Sequence, residues 1–439
     1  MKWFSPRNAR KRGVKKHMDL IETVGGRALN SCVRVQGAKN SVLPILAAAV
    51  LTNGVSVIEN CPSLRDVDAT IAILEEIGCR VTRENTTLTV DSECASEYNI
   101  SPEHMSSLRS SVVFLGALLA RQGRAELFMP GGCELGARPI DIHLWALMRM
   151  GAKITSRDGC LTGTVVNPTG CELVLPIPSV GATENIMLFA TACTGTTTIV
   201  NAAREPEIVD LQAYLTAAGF EVSGAGTPVI RITGRRAARL SGRVSHRVMP
   251  DRIAAATWMC AAAAAGGEVM VEGVEYEPLA RLSALLTEMG CTVFHQGGAV
   301  TIRRTGPLIA LMQPVRTGPY PSFPTDMQPL LTVPAAVAEG CTAFEENMFD
   351  DRYRHVPELN RMGAQIALSG KYALCTGVRK LHGATVRACD LRGGAALVLA
   401  GLCAEGQTVI ANTAYIDRGY ERIEETLAQL GADIRRIQA

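Results

Sequence analysis

None of the fourteen cysteines in this 439-residue chain forms a C-x-x-C pair or joins histidines at zinc-ligand spacing. That absence argues against a zinc site or a disulfide framework and fits free thiols in a reducing cytosol. Neither a metal nor a cofactor is expected. The chain also lacks a P-loop, a Rossmann glycine fingerprint, HExxH and G-x-S-x-G. These gaps argue against nucleotide hydrolysis, hydride transfer, zinc proteolysis and serine-hydrolase chemistry. No apolar run approaches the about 20 residues that cross a bilayer. The longest, Val42 to Leu51, is interrupted by Pro44 and reads as a buried helix.

Acids are missing from the opening segment, where Lys2, Arg7, Arg10, Lys11, Arg12, Lys15 and Lys16 stand. No apolar stretch follows between Met18 and Ala28, so the segment is not a secretory signal. With these charges set aside from the formal net charge of +2, the main body is mildly acidic and carries no nucleic-acid footprint. Residues 1–17 read as a basic, disordered extension, with contact to RNA or acidic membranes as the alternative. Few aromatics (5%) and 47% apolar residues suit a soluble α/β protein. The expected location is the cytoplasm.

What is present is a repeat of about 70 residues, too long for the usual solenoid period. Each unit opens on a glycine and a β-rich run: Gly54, Gly123, Gly195, Gly266, Gly340 and Gly406. A helical stretch follows and ends at a second glycine: Gly78, Gly151, Gly219, Gly290, Gly363 and Gly431. In the first unit Leu64, Val67, Ile71, Leu74 and Ile77 keep helical spacing, with Ser63 as a candidate cap. Ile416, Ile423, Leu427 and Leu430 repeat this in the last unit. The closing glycines suit the left-handed position after a helix, and a further strand follows each. One unit cannot bury both its sheet and its helix, so six units predict two similar domains of three units each. A chain of this length also exceeds what one core organises.

Polar residues that interrupt the repeat carry the chemistry. In Gly37-Ala-Lys-Asn40 a cation and an amide precede an apolar helix, where they could hold a phosphate or carboxylate. A solvated Lys39 and a capping Asn40 are the alternative. The segment from Pro130 to His143 places Cys133 five residues before Arg138 in a glycine-rich loop, and a nearby guanidinium supports thiolate reactivity. Thirteen other cysteines show that the chain also uses Cys as small apolar filler. In Phe323-Pro-Thr-Asp-Met-Gln328, Asp326 is either a helix cap or a general base toward a hydroxyl. In Asp390-Leu-Arg-Gly-Gly394, Arg392 at a helix start could grip an anion bidentately.

At these four places the sequence resembles the UDP-N-acetylglucosamine 1-carboxyvinyltransferases, enolpyruvyl transferases that open peptidoglycan precursor synthesis. The likeness runs from about Gly25 to the C-terminal strand. It includes SVGATEN (Ser179 to Asn185), NAAREPEIVDL (Asn201 to Leu211), PDRI (Pro250 to Ile253) and IDRGYERIE (Ile416 to Glu424). The resemblance implies a two-domain inside-out α/β barrel of six β-α-β units, with the active site in the interdomain cleft. One domain would span 39–249 and carry the Cys133 loop, and the other 18–38 plus 250–439.

The resemblance further implies that Lys39, Arg138 and Arg392 bind phosphoenolpyruvate. Asn40, Arg109, Arg138, Pro139, Ile140, Asp141, Ile142, Ser179, Val180, Gly181, Asp326 and Met348 would line the UDP-N-acetylglucosamine pocket. Asp326 would deprotonate the 3'-hydroxyl. Cys133 would protonate the enolpyruvyl methylene and be alkylated by fosfomycin. A monomer without nucleic-acid or membrane partners is expected. Departures from the family pattern are Gln36 for the usual Ser, Ser322 for a common Gly, and the basic arm. Two rivals remain: the shikimate-pathway enolpyruvyl transferase, whose Lys-Ser-x-Ser-Asn-Arg signature is absent, and a catalytically retired paralogue that binds UDP-sugars.

Overall fold

The computed structural model describes residues 19–107, 109–128, 140–234 and 242–438, apart from the side chains of Ser107 and Arg109. Its strands form six four-stranded sheets and one short pair. Every four-stranded sheet has the same plan. In the first, Arg243–Arg247 lies parallel to the opening strand Val55–Glu59, which pairs antiparallel with Thr87–Asp91, itself paired with Arg80–Glu84. The opening glycines stand at or directly before the head of their strands: Gly195 begins Gly195–Val200, and Gly266 immediately precedes Gly267–Glu272.

The last sheet obtains its third strand from the other end of the chain. Asp19–Val24 lies between Gln407–Ala411 and Asp433–Gln438, with Ile21 opposite Ile410 on one side and Arg436 on the other. An N-terminal strand that the sequence repeat does not include thus completes the sixth unit.

Each unit also contributes one helix that is buried on almost every side. These are Lys39–Ala49, Val113–Gln122, Val180–Ala190, Arg252–Ala265, Gln328–Ala336 and Leu391–Cys403. Their runs of Ala, Leu, Val and Gly leave no polar face for water, so they are stable only when surrounded by protein. The last three pack on one another, and Val113–Gln122 packs on both Lys39–Ala49 and Val180–Ala190. The outer helices keep one apolar stripe: in Arg65–Glu76 it is Val67, Thr70, Ile73 and Leu74.

The closing glycines do what the repeat predicts. Gly78, Gly151, Gly219, Gly290, Gly363 and Gly431 all have φ between 89° and 106°, the left-handed region that glycine enters without a Cβ clash. Around Gly78, the Gly78 and Cys79 amides donate to Glu75 and Leu74, which uses two of the last carbonyls of the helix. Ser63 does not cap that helix. The capping position is Leu64, without a side-chain bond, and the Ser63 amide instead donates to Glu421.

Two hydrophobic cores result. One gathers residues from Ala38 to Val248; the other joins Ile21 to Val35 with Ile253 to Ile434. The chain passes between them twice, and the two crossings are paired: Gly37 bridges Pro250, Ala38 N donates to Met249 O at 2.8 Å, and Asp251 N to Gln36 O at 2.9 Å. A Cβ on Gly37 would stand 1.8 Å from the Asn60 carbonyl oxygen, so only glycine fits. Gln36 donates to Gly419 O and accepts from Glu421 N, spanning from the crossing into the second core.

Candidate active site

Lys39 begins a buried helix directly after the first crossing. Its amide donates to Asp251 Oδ2 at 3.2 Å, and its ammonium lies 3.0 Å from Asp66 Oδ2. Asp66, 2% exposed, also takes a bidentate grip from Arg418, at 2.8 and 3.2 Å. Burial opposes the charge of Asp66, but Lys39 and Arg418 outweigh it and hold the carboxyl below its ordinary range. Lys39 and Asp66 come from the first core and Arg418 from the second, so the cluster ties the two together. Asn40 is already inside the helix and caps nothing; the capping position is Ala38.

Asp326 stands in the short turn Thr325–Met327 ahead of a buried helix, and it is not that helix's cap. Its two oxygens go to two guanidinium groups: Oδ1 accepts from Arg352 Nη2, and Oδ2 from Arg392 Nε at 3.3 Å. Burial would raise the Asp326 pKa, but Arg392, Arg352 and Lys39 together hold it far below the carboxylate range. The charge of Lys39 is therefore felt at Asp326. Arg352 also donates from Nε to Thr325 Oγ1 at 3.0 Å, and its Nη1 lies 3.9 Å from Asp390.

Arg392 is 2% exposed; among the described residues its Nη1 and Nη2 have no acceptor in hydrogen-bonding geometry, and the Tyr420 ring lies alongside, 5.4 Å from its guanidinium carbon. Burial opposes its charge, while Tyr420, Asp326 and Asp251 favour it, so it stays protonated. Asp390 caps its helix by accepting from the Arg392 and Gly393 amides, both at 3.0 Å. A buried guanidinium in the first turn of a helix, with two nitrogens unpaired among the described residues, is suited to receive an anion.

A second group of predicted residues meets elsewhere in the first core. Ser179 caps Val180–Ala190, accepting from Ala182 N at 3.4 Å. Ile140 precedes Asp141–Arg149, which packs against that helix. Asp141 is exposed and Ile142 half-buried. Met348 is tied to the Asp326 turn through Glu346, whose Oε1 accepts from Met348 N at 2.8 Å and from Thr325 Oγ1 at 3.1 Å. Cys133, Arg138 and Pro139 lie outside the described residues, as does the Arg109 side chain; Arg109 opens the turn Arg109–Val112. Among the described residues, no group of three His, Cys, Asp or Glu could hold a metal ion.

Sequence reasoning missed Arg352, Asp66 and Arg418. Arg418 stood within the quoted IDRGYERIE run, but its partner lies 352 residues away. It also missed the buried pair between the cores, in which Arg252 donates to Glu207 at 3.0 and 3.2 Å, beside Glu205 and Glu184. Burial and the neighbouring Glu207 and Glu205 raise the Glu184 pKa from 4.5 to about 8.

Residues 24–427 match the family model described as EPSP synthase (3-phosphoshikimate 1-carboxyvinyltransferase). UDP-N-acetylglucosamine 1-carboxyvinyltransferase 1 of Symbiobacterium thermophilum is 48% identical over 97% of this chain and 96% of its own length. An enzyme of the same name with the suffix 2, from Caldanaerobacter subterraneus, is 46% identical over 96% of this chain and all of its own. The chain belongs to the UDP-N-acetylglucosamine 1-carboxyvinyltransferases of the EPSP synthase family. Among solved structures, the enolpyruvyl transferase NikO from Streptomyces tendae superposes with a TM-score of 0.87 at 28% identity, covering 96% of this chain and 100% of NikO. EPSP synthase from Acinetobacter baumannii gives 0.72 at 20% identity over 96% of this chain, a likeness of fold. These relatives establish a mixed α/β enolpyruvyl transferase fold.

Proposed function

We propose that this enzyme transfers the enolpyruvyl group of phosphoenolpyruvate to the 3'-hydroxyl of UDP-N-acetylglucosamine and releases phosphate. The observation that carries the reading is the carboxylate of Asp326 held between two arginines, one of which has two buried nitrogens unpaired among the described residues. Family membership at up to 48% identity supplies the substrates.

In this reading the two cores are two inside-out domains, each with three buried helices enclosed by three sheets, and the substrates meet in the cleft between them. Arg392, with Lys39 and Arg138, takes the phosphate and carboxylate of the donor. Asp326 removes the proton of the 3'-hydroxyl, whose oxygen then bonds to C2 of phosphoenolpyruvate while C3 receives a proton from Cys133. Loss of a C3 proton and of phosphate from C2 restores the double bond, now as an enol ether. Asn40, Arg109, the 138–142 segment, Ser179 to Gly181 and Met348 hold the sugar nucleotide. The protein acts as a cytoplasmic monomer, and fosfomycin alkylates Cys133.

A carboxylate gripped by two guanidinium groups is ionised but weakly basic. When the donor's anion engages Arg392, that grip loosens and Asp326 gains basicity at the moment it is needed. Arg352 acts in this scheme as a positioning residue. The test is phosphate release, with UDP-N-acetylglucosamine and shikimate 3-phosphate as competing acceptors. Release with the second alone would overturn the reading, and release with neither would favour a retired sugar-nucleotide-binding paralogue.

A further inference from the structure

A buried histidine beside the Asp326 cluster takes no part in the chemistry above. His355 stands at the capping position of Val356–Arg361 and is 0% exposed. Its side chain does not cap that helix, and neither ring nitrogen has a partner in hydrogen-bonding geometry among the described residues. Burial holds its pKa down to about 4, so at physiological pH the ring is neutral, with one N–H to donate and one lone pair to accept. The charges that act on it are those of Asp390 and Arg352, and the Arg352 backbone also lies near the ring.

Asp390, 4% exposed, presents the complementary group. Its Oδ1 takes the Arg392 and Gly393 amides, while its Oδ2 has no donor in hydrogen-bonding geometry among the described residues. Gly393 brings the two side chains together. A Cβ there would stand 2.6 Å from Asp390 Oδ2 and 2.8 Å from His355 Cβ, so only glycine lets both pack on the first turn of Leu391–Cys403. Arg352 links this pair to the reaction: its Nη2 holds Asp326, and its Nη1 lies 3.9 Å from Asp390 Oδ1. Two carboxylates thus compete for one guanidinium that is 1% exposed. A buried carboxylate oxygen left unsatisfied would draw that guanidinium toward Asp390.

We propose that His355 is a positioning residue for the transfer: through one bound water it satisfies Asp390 Oδ2, keeps Asp390 as the cap of Leu391–Cys403, and so leaves Arg352 committed to Asp326. Either ring nitrogen can serve. The water accepts from the imidazole N–H or donates to its lone pair, and in both cases a hydrogen remains for Asp390 Oδ2. The inference rests on the reading of Asp326 as the base. The groups that face Asp326 are Arg392, Arg352 and Lys39, so loosening one of these three cations should raise its pKa.

Phosphate release by the full chain, followed against pH at saturating phosphoenolpyruvate and UDP-N-acetylglucosamine, tests this. His355→Phe, which keeps the bulk of the ring without its nitrogens, should move the acid limb upward by up to about one pH unit, a tenfold change in the ionised fraction of Asp326. His355→Asn, whose amide both donates and accepts, should hold the limb closer to wild type. In an Arg352→Leu background His355→Phe should move the limb no further, because the guanidinium through which it acts is gone. A merely structural histidine would lower the melting temperature and leave the limb in place. Because His355→Phe could fail to fold, a high-resolution crystal structure of the wild-type protein provides an independent check: one water should bond both a His355 ring nitrogen and Asp390 Oδ2, and its absence would overturn the inference. An unmoved limb in His355→Phe, or an equal further shift in the Arg352→Leu background, would also overturn it, while a limb moved by Arg352→Leu alone would leave the base assignment standing. If neither substitution moved the limb, the reading of Asp326 as the base would fall with the inference.

Discussion

Replacing Asp326 with Asn separates catalysis from architecture. The side chain lies between Arg352 and Arg392, with Lys39 adding a third positive charge. Asparagine keeps an acceptor oxygen but loses the charge and cannot take a proton from a hydroxyl. A general base contributes about 10² to 10⁴ in rate, so turnover should fall by that factor. The two buried guanidinium groups then face each other with less compensation. A charged hydrogen bond lost at such a site costs about 1 to 3 kcal/mol, enough to lower the melting temperature without unfolding the protein. Because the carboxyl pKa is depressed on folding, its stabilisation is present above the unfolded carboxyl pKa and is lost only as pH falls through the lower folded value. The stability difference between the variants should thus be full at pH 7. The assays are phosphate release, calorimetric UDP binding and thermal melting. Near-normal turnover, or a loss of turnover explained by unfolding, would refute the reasoning.

Removing a cation from the carboxylate should raise its pKa, so Arg352→Leu should move the acid limb of the pH–rate profile upward; an unmoved limb would show that Asp326 is not the base. Glu184 is the converse case: its pKa is raised from 4.5 to about 8, so the unfolded state binds fewer protons than the folded state in that window and stability falls as pH rises through it. Glu184→Gln should flatten that fall and melt higher than wild type at pH 8. Lys39→Ala should weaken phosphoenolpyruvate binding and leave Asp66 paired with Arg418 alone, read as a raised KM for the donor. Fosfomycin should form one adduct, on Cys133, and none in Cys133→Asp. Burial pushes the Cys61, Cys79, Cys193, Cys375 and Cys403 thiols up to about 12, away from thiolate reactivity. Adducts on the exposed Cys32, Cys94 or Cys341 would contradict it.

The repeat was legible because its marks are local. A glycine after a helix and an apolar run before a strand impose themselves within a few residues, and all six closing glycines have the left-handed conformation. The caps at Ser63, Asn40 and Asp326 were not legible, because any of the three could serve a local bond or a distant one. Ser63 bonds Glu421, and Asp326 bonds arginines 26 and 66 residues away. The same limit hid the insertion of Asp19–Val24 into the last sheet, since strand periodicity names a face and not a partner. Arg352 and Arg418 escaped notice because an arginine in a loop looks solvated until its carboxylate is found. Asp326 and Arg392 could be singled out from their motifs, whereas their direct contact required the fold.

The central claim is the identity of the acceptor, and one experiment addresses it directly. The purified full chain is incubated with phosphoenolpyruvate and an equal mixture of UDP-N-acetylglucosamine and shikimate 3-phosphate, and both released phosphate and the masses of both acceptors are followed. The account predicts stoichiometric phosphate release with an enolpyruvyl group gained by UDP-N-acetylglucosamine alone. Enolpyruvyl gain on shikimate 3-phosphate, or UDP-N-acetylglucosamine binding without any phosphate release, would contradict it.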